Sequence, residues 1–147
     1  MKAVVLTEPC GAEEMKLNEI PMPEARPGWV LIKVRAFGIN HSEVLLRQFE
    51  VAQPYIHNPI VPGIECVGEI IDPSDSGFRK GQRVMALMGG MGRSFNGSYA
   101  EYALLPSGIV FAVDSDLDWN ELAAIPETFY TAYGSLIISL QISKEDI

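Results

Sequence analysis

The sequence predicts a mainly β chain, an antiparallel barrel-like domain with short helices and a helical tail. Three observations lead there. Seven or eight short runs carry strand-like patterning and are bounded by Gly, Pro, Asn and Asp. From Asp118 the hydrophobic period changes from two to about 3.6. The chain has 147 residues, enough for one domain with a real core and too few for two ordinary ones.

The elements follow in order. Residues 2–7 read as a strand, and Glu8-Pro9-Cys10-Gly11 as a turn. Glu14 to Ile20 alternates, with Met15 and Leu17 opposite Lys16 and Asn18, as in a half-buried strand. Pro21, Pro23 and Pro27-Gly28 punctuate a loop. Trp29 to Phe37 is the clearest strand: Val30, Ile32, Val34 and Ala36 share one face, Lys33 and Arg35 the other. Asn40 or Ser42 caps a helix that runs to about Phe49. Two prolines keep residues 53–59 irregular. Further strands are expected over 66–71, 83–88, 98–105 and 109–113, with a glycine-rich loop at 89–97. That loop does not match a phosphate-binding fingerprint, because no Gly-x-Gly-x-x-Gly follows a strand and opens a helix. Asp118, with Glu121 three residues on, opens one helix, and Pro126 separates it from a second. The second carries Phe129, Ala132, Tyr133, Leu136, Ile137 and Leu140 on one stripe. That face is generous for a β domain that has already closed its core, so it is expected to pack against something outside this chain.

Composition narrows the function. Apolar residues make up 48% and charged residues 20%, a globular rather than disordered composition. No apolar run approaches the ~20 residues a membrane-spanning helix needs, and Met1 to Leu6 reads as a strand, not a secretory signal. A net charge of −8 with scattered basic residues argues against a nucleic-acid partner. Cys10 and Cys66 are far apart, forming neither a disulfide framework nor a metal-ligand pattern, which points to a reducing cytoplasm. Cys66 reads as a buried small hydrophobe.

The rest of the chain is organised around Gly38 to Gly68. It opens with Gly38-Ile39-Asn40-His41-Ser42-Glu43 and closes with Val61-Pro62-Gly63-Ile64-Glu65-Cys66-Val67-Gly68. Each half sets small polar groups at the end of an apolar run. The residues alone fit either a cleft wall that holds polar groups against a ligand or a strand–helix–strand connection with satisfied caps.

Six motifs in order carry a resemblance. Lys2-Ala3-Val4-Val5, Gly38-Ile39-Asn40, Val61-Pro62-Gly63-Ile64-Glu65, Gly81-Gln82-Arg83-Val84, Gly97-Ser98-Tyr99-Ala100-Glu101-Tyr102 and Thr131-Ala132-Tyr133 resemble the medium-chain dehydrogenase/reductase superfamily. Within it the match is to the zinc-free, quinone oxidoreductase-like branch. The resemblance implies that residues 1–125 form a GroES-like catalytic β-barrel and that 126–147 bridge to a nucleotide-binding Rossmann domain absent from this chain. A piece of a longer enzyme is therefore expected, inactive by itself.

The same resemblance implies chemistry. Zinc-dependent relatives have a Cys where this chain has Asn40 and a His where it has Ile64, so a catalytic zinc is not expected. Glu43 and Glu65 then serve as hydrogen-bond acceptors or as partners of an Arg or Lys. The implied activity is NADPH-dependent reduction of quinones or α,β-unsaturated carbonyls, with polarisation by hydrogen bonds in place of a metal. Asn40 and Ser42 are the candidate catalytic residues. Asn40, His41 and Thr131 are the candidate cofactor contacts. Leu45, Ile64 and Phe95 are the candidate substrate pocket, Leu45 standing where relatives often carry a Tyr. His57 is taken as structural. The whole protein is expected to act on a small molecule, and the resemblance is compatible with a homodimer. Alternatives are a stand-alone GroES-like binding module, or an alcohol dehydrogenase relative that has lost its metal.

Overall fold

The computed structural model describes residues 1–146, apart from the side chain of Glu145. Its centre is β3 (Trp29–Ala36), where a long alternating run lets one face enter the core. A five-stranded antiparallel sheet forms in the order β6-β3-β4-β5-β7, from β4 (Glu65–Asp72), β5 (Arg83–Leu87), β6 (Tyr102–Pro106) and β7 (Val110–Ala112). It curls into a half-barrel around Val30, Ile32, Cys66, Ile70, Val84, Ala86, Ala103 and Leu105. Two register shifts between β3 and β4 mark bulges, which bend the strands and tighten their twist. Gly68 permits the close approach there, since a Cβ would overlap the Lys33 carbonyl.

A second, two-stranded sheet pairs β1 (Lys2–Val4) with β2 (Leu17–Glu19). Single bridges from Ala3 to Ala100 and from Leu6 to Ile60 tie this sheet to the rest. Leu6, Leu46, Val51, Ile56 and Ile60 form a separate cluster that seats α1 (His41–Gln48) against the N-terminal segment. The buried Arg47 donates to the Cys10 carbonyl, giving that guanidinium a partner inside the cluster.

Asp118 caps α2 (Trp119–Ala123) as its sequence requires, accepting from the Asn120 and Glu121 N–H groups at 2.8 and 2.9 Å. Leu122 and Ala123 then pack with Val67. Pro126 opens α3 (Pro126–Tyr133), which continues into a π-helical turn at Gly134–Ser139. α3 lies against β4 and β5. Its apolar stripe faces outward: Phe129 is 64% exposed, Tyr133 60% and Leu140 67%. Ile147, the last residue of the expected bridging segment, lies outside the described residues. Among those described, no helix is long and apolar enough to cross a membrane.

Three expected strands are shorter than their patterns. The first ends at Val4 and leaves Leu6 as an isolated bridge. The second keeps only Leu17–Glu19, because Glu14 returns its carboxylate to the Gly11 N–H at 2.5 Å and winds a 3-10 turn over Ala12–Glu14. Residues 98–101 leave the sheet to bond across the chain: Tyr99 N–H donates to the Pro62 carbonyl and Val4 N–H to the Tyr99 carbonyl.

Candidate functional site

Two strand ends and two helix starts meet at Gly38 to Gly68. β3 runs through Phe37-Gly38-Ile39 into α1, while β4 begins at Glu65. Asn40 is the N-cap residue of α1, with extended backbone (φ −113°, ψ 156°). Glu43, at the third helical position, reaches back so that one oxygen accepts from the Asn40 N–H at 2.7 Å. Its other oxygen accepts from the Ile64 N–H at 3.1 Å. One buried carboxylate thus clasps the start of α1 to the end of the loop before β4. Burial raises the Glu43 pKa above its ordinary 4.5, and the N–H bonds from Asn40 and Ile64 hold part of that rise back.

Glu65 occupies the next position inward and is 3% exposed. Its Oε1 accepts from Asn40 Nδ2 at 2.8 Å, and its Oε2 from the Glu127 N–H at 2.8 Å. Pro126 has no N–H to give, so that of Glu127 is the first free donor of α3, and a carboxylate suits this helix end. Gly38 leaves room for the Glu65 carboxylate, which a Cβ would overlap. Beyond Glu65, Glu127 Oε1 accepts from the Thr131 hydroxyl at 2.8 Å. Asn40, Glu65, Glu127 and Thr131 therefore form one hydrogen-bonded line from the start of α1 to the second turn of α3.

Two polar side-chain atoms here lack partners. Ser42 Oγ and Glu127 Oε2 are buried and have no hydrogen bond among the described residues. Ser42 contributes its carbonyl instead, accepting from Arg93 at 3.1 Å. Tyr99 stacks on Phe37 with ring centroids 4.5 Å apart. Burial raises the Tyr99 pKa, and the nearby Glu43 and Glu65 charges raise it further, so its phenol stays protonated.

The structure brings most of the candidate residues into this neighbourhood. Asn40 and Ser42 open α1, and Ile64 is buried beside Glu43. His41 is exposed, Leu45 is 39% exposed, and Thr131 sits on the exposed side of α3. Phe95 goes elsewhere: its ring meets Trp29 edge-on at 5.1 Å, at the far end of β3. There it lines a separate cleft of ≈ 320 Å³ with Trp29, Arg26 and His57. The reason is the loop's own bonding, which folds Gly92 back onto the Phe95 carbonyl and Gly97 onto the Val61 carbonyl. Sequence reasoning does not single out Glu127 or Tyr99 as part of the site. The acidic first turn after Pro126 is the available signal for Glu127.

The donor set does not fit a zinc ion of the kind that zinc-dependent dehydrogenases carry. The Asn40 amide is engaged with Glu65, Ile64 offers no ligand atom, and both carboxylates already accept two N–H donors each. Among the described residues, no three His, Cys, Asp or Glu side chains gather where they could hold a metal ion. Glu43 and Glu65 act as hydrogen-bond acceptors. Arg93, whose charge is felt at Glu43, pairs instead with Glu50 at 2.8 Å.

Residues 26–115 match the alcohol dehydrogenase GroES-like domain. The chain belongs to this family. It is 35% identical to human quinone oxidoreductase over 142 residues, covering 95% of this chain and 41% of that protein. The structure of the human synaptic vesicle membrane protein VAT-1 homolog-like protein superposes with a TM-score of 0.84 at 33% identity. That match covers 97% of this chain and 44% of the other. The quinone oxidoreductase of Thermus thermophilus, solved also in complex with NADPH, superposes at 0.72 with 33% identity, covering 92% of this chain and 40% of that one. The chain spans less than half the length of the curated relatives it matches.

Proposed function

We propose that this chain is the substrate-side domain of an NADPH-dependent oxidoreductase that reduces quinones or α,β-unsaturated carbonyls without a catalytic zinc. The observation that carries the reading is the Asn40–Glu65 pair. It puts a fixed amide where zinc-dependent relatives carry a metal ligand, beside a buried Ile64 that cannot be one. The names of the similar proteins support the reaction class, and one of them was solved with NADPH.

In this reading the dinucleotide, when bound, supplies the hydride. Residues 126–147 lead into a nucleotide-binding domain that holds most of it, and residues 1–125 shape the substrate side. Asn40 and Thr131 hold the nicotinamide end, and His41, at the exposed start of α1, faces its phosphates. Ser42 Oγ, buried and without a partner among the described residues, is free to hold or pass a proton at the substrate oxygen. Leu45 and Ile64 give the pocket an apolar wall that excludes water and suits a planar, uncharged acceptor. Phe95 has no part in this, because it belongs to the Trp29 cleft.

The test is NADPH oxidation by the full-length protein against a panel of quinones and enones. Turnover with either class supports the proposal. NADPH binding without turnover of any acceptor favours a dehydrogenase relative that has lost its activity. No NADPH binding at all favours a GroES-like binding module.

A further inference from the structure

We propose that the cleft at the Trp29 end of β3 is a second ligand site, shaped for a small aromatic carboxylate. It is independent of the reaction read at Asn40 and Glu65. Trp29 opens β3 and Asn40 lies past its last residue, so roughly 25 Å of strand separates the two.

Arg26 carries the argument. Its guanidinium lies over the Trp29 ring, 4.0 Å from the centroid. Stacking uses the face of the guanidinium and leaves the N–H groups along its rim. Arg35, Arg47, Arg83 and Arg93 each donate to a carboxylate or carbonyl of the chain. Arg26 has no such acceptor for its side chain among the described residues. The loop that carries it is nevertheless fixed. The Trp29 N–H donates to the Arg26 carbonyl at 3.0 Å, and the Ser107 N–H to the Gly28 carbonyl at 2.9 Å. The Gly28 N–H donates to Asp75 Oδ1 at 2.7 Å. A cation held in place with unused donors suits a carboxylate, which accepts two parallel N–H bonds. Little ordering of the loop is left to oppose binding.

The rest of the wall agrees in sign. Asn96 also lines the cleft, and its Oδ1 accepts from the Val61 N–H at 2.9 Å. Its NH2 is therefore the end left to a ligand, a second donor. None of the described residues lining the cleft is Asp or Glu, although the chain has 19 of them and a net charge of −8. An anion thus meets less repulsion here than over the surface at large. Trp29 and Phe95, whose rings meet at 81°, supply flat apolar surface. The volume of ≈ 320 Å³ stands at the small end of the range usual for ligand sites, about 300–1,000 Å³. It suits a single ring or a fused pair and excludes a dinucleotide.

The probe is naphthoate, titrated calorimetrically into the full-length protein. It should saturate one site per chain with a Kd below about 1 mM. Naphthamide keeps the rings without the charge and should bind at least about fivefold more weakly. Decalin carboxylate keeps the charge without flat rings and should lose about threefold or more. Arg26→Gln should weaken naphthoate at least about fivefold and leave naphthamide within about twofold of its wild-type value. Arg26 is exposed, so the fold tolerates the change, and circular dichroism confirms this. Arg79→Gln, which removes an exposed arginine outside the cleft, should leave naphthoate within about twofold of wild type. Saturating NADPH should not displace the probe. No saturation by about 5 mM, equal affinity for acid and amide, or Arg26→Gln binding naphthoate like wild type overturns the proposal. Displacement by NADPH overturns it too, because the probe would then sit at the other site. If the protein binds no NADPH, the functional reading fails by itself, and this site is still judged on Arg26→Gln.

Discussion

Asn40 Nδ2 and Glu65 Oε1 are 2.8 Å apart although 25 residues separate them in the chain. The contact joins the start of α1 to the first residue of β4. Through the second oxygen of Glu65 it continues to Glu127, 62 residues further on. The site is therefore long-range by construction, and its parts rise or fall together.

The first consequence concerns Asn40 itself. Hydrogen bonds that involve a charged group are worth roughly 1.5–3 kcal/mol. Asn40→Ala in the full-length protein should lower kcat/KM about 10- to 100-fold with quinone and NADPH, while the fold survives. Steady-state kinetics and a thermal melt check the two halves separately. Unchanged turnover would remove Asn40 from the mechanism.

Gly38 makes a sharper structural test. A methyl group there overlaps the Glu65 carboxylate, a buried group with two donors to keep. Gly38→Ala should cost about 1–3 kcal/mol, the usual range for overpacking a filled interior. Urea unfolding measures it. A stability equal to wild type would mean that Glu65 has room to move.

Glu43 gives a pH dependence with a definite sign. Its folded pKa lies above its ordinary 4.5 because burial disfavours the charged form. The folded state then holds a proton that the unfolded state has released, so this group lowers stability as pH rises from about 4.5 through its folded pKa. Below that window the cost is absent. Glu43→Gln abolishes the titration, so the stability difference between wild type and variant should change across that window and flatten on either side. Denaturation at a series of pH values checks this. A difference constant with pH would show that Glu43 titrates as it does when unfolded.

The α3 face predicts a surface property. Phe129, Tyr130, Tyr133, Leu136, Ile137, Ile138 and Leu140 are exposed along one stretch. The 147-residue chain should bind a hydrophobic dye such as ANS, and Leu136→Lys with Leu140→Glu should reduce the signal at least about twofold. Dye fluorescence indifferent to both changes would place the apolar surface elsewhere.

Local pattern makes much of this fold legible. The alternation of Trp29 to Ala36, the Asp118–Glu121 cap and the helix break at Pro126 each depend on neighbours in sequence, and each appears in the structure. Leu17 shows where the same kind of pattern misleads, since the side chain expected to be half buried is 70% exposed. The 3-10 turn at Ala12–Glu14 takes the start of that strand, and the Leu17–Glu19 remnant pairs only with β1 in a two-stranded sheet. The site is legible only in part. Asn40, Ser42 and Ile64 stand in one recognisable stretch, but the partners that give Asn40 its orientation come from β4 and α3. Nothing in the spacing of Glu65 and Glu127 shows that one carboxylate will accept from both Asn40 and the start of α3. Phe95 departs from expectation for a related reason. The loop's glycines allow several paths, and its backbone bonds at Gly92 and Gly97 choose the one toward Trp29.

The central claim is that the site around Asn40 and Glu65 acts by hydrogen bonding and shape, without a metal. It is tested most directly by the rate of quinone-dependent NADPH oxidation in the full-length protein before and after exhaustive chelation. The account predicts the same turnover in both samples, with no gain on adding zinc. Activity that disappears with the chelator and returns with stoichiometric zinc would contradict it.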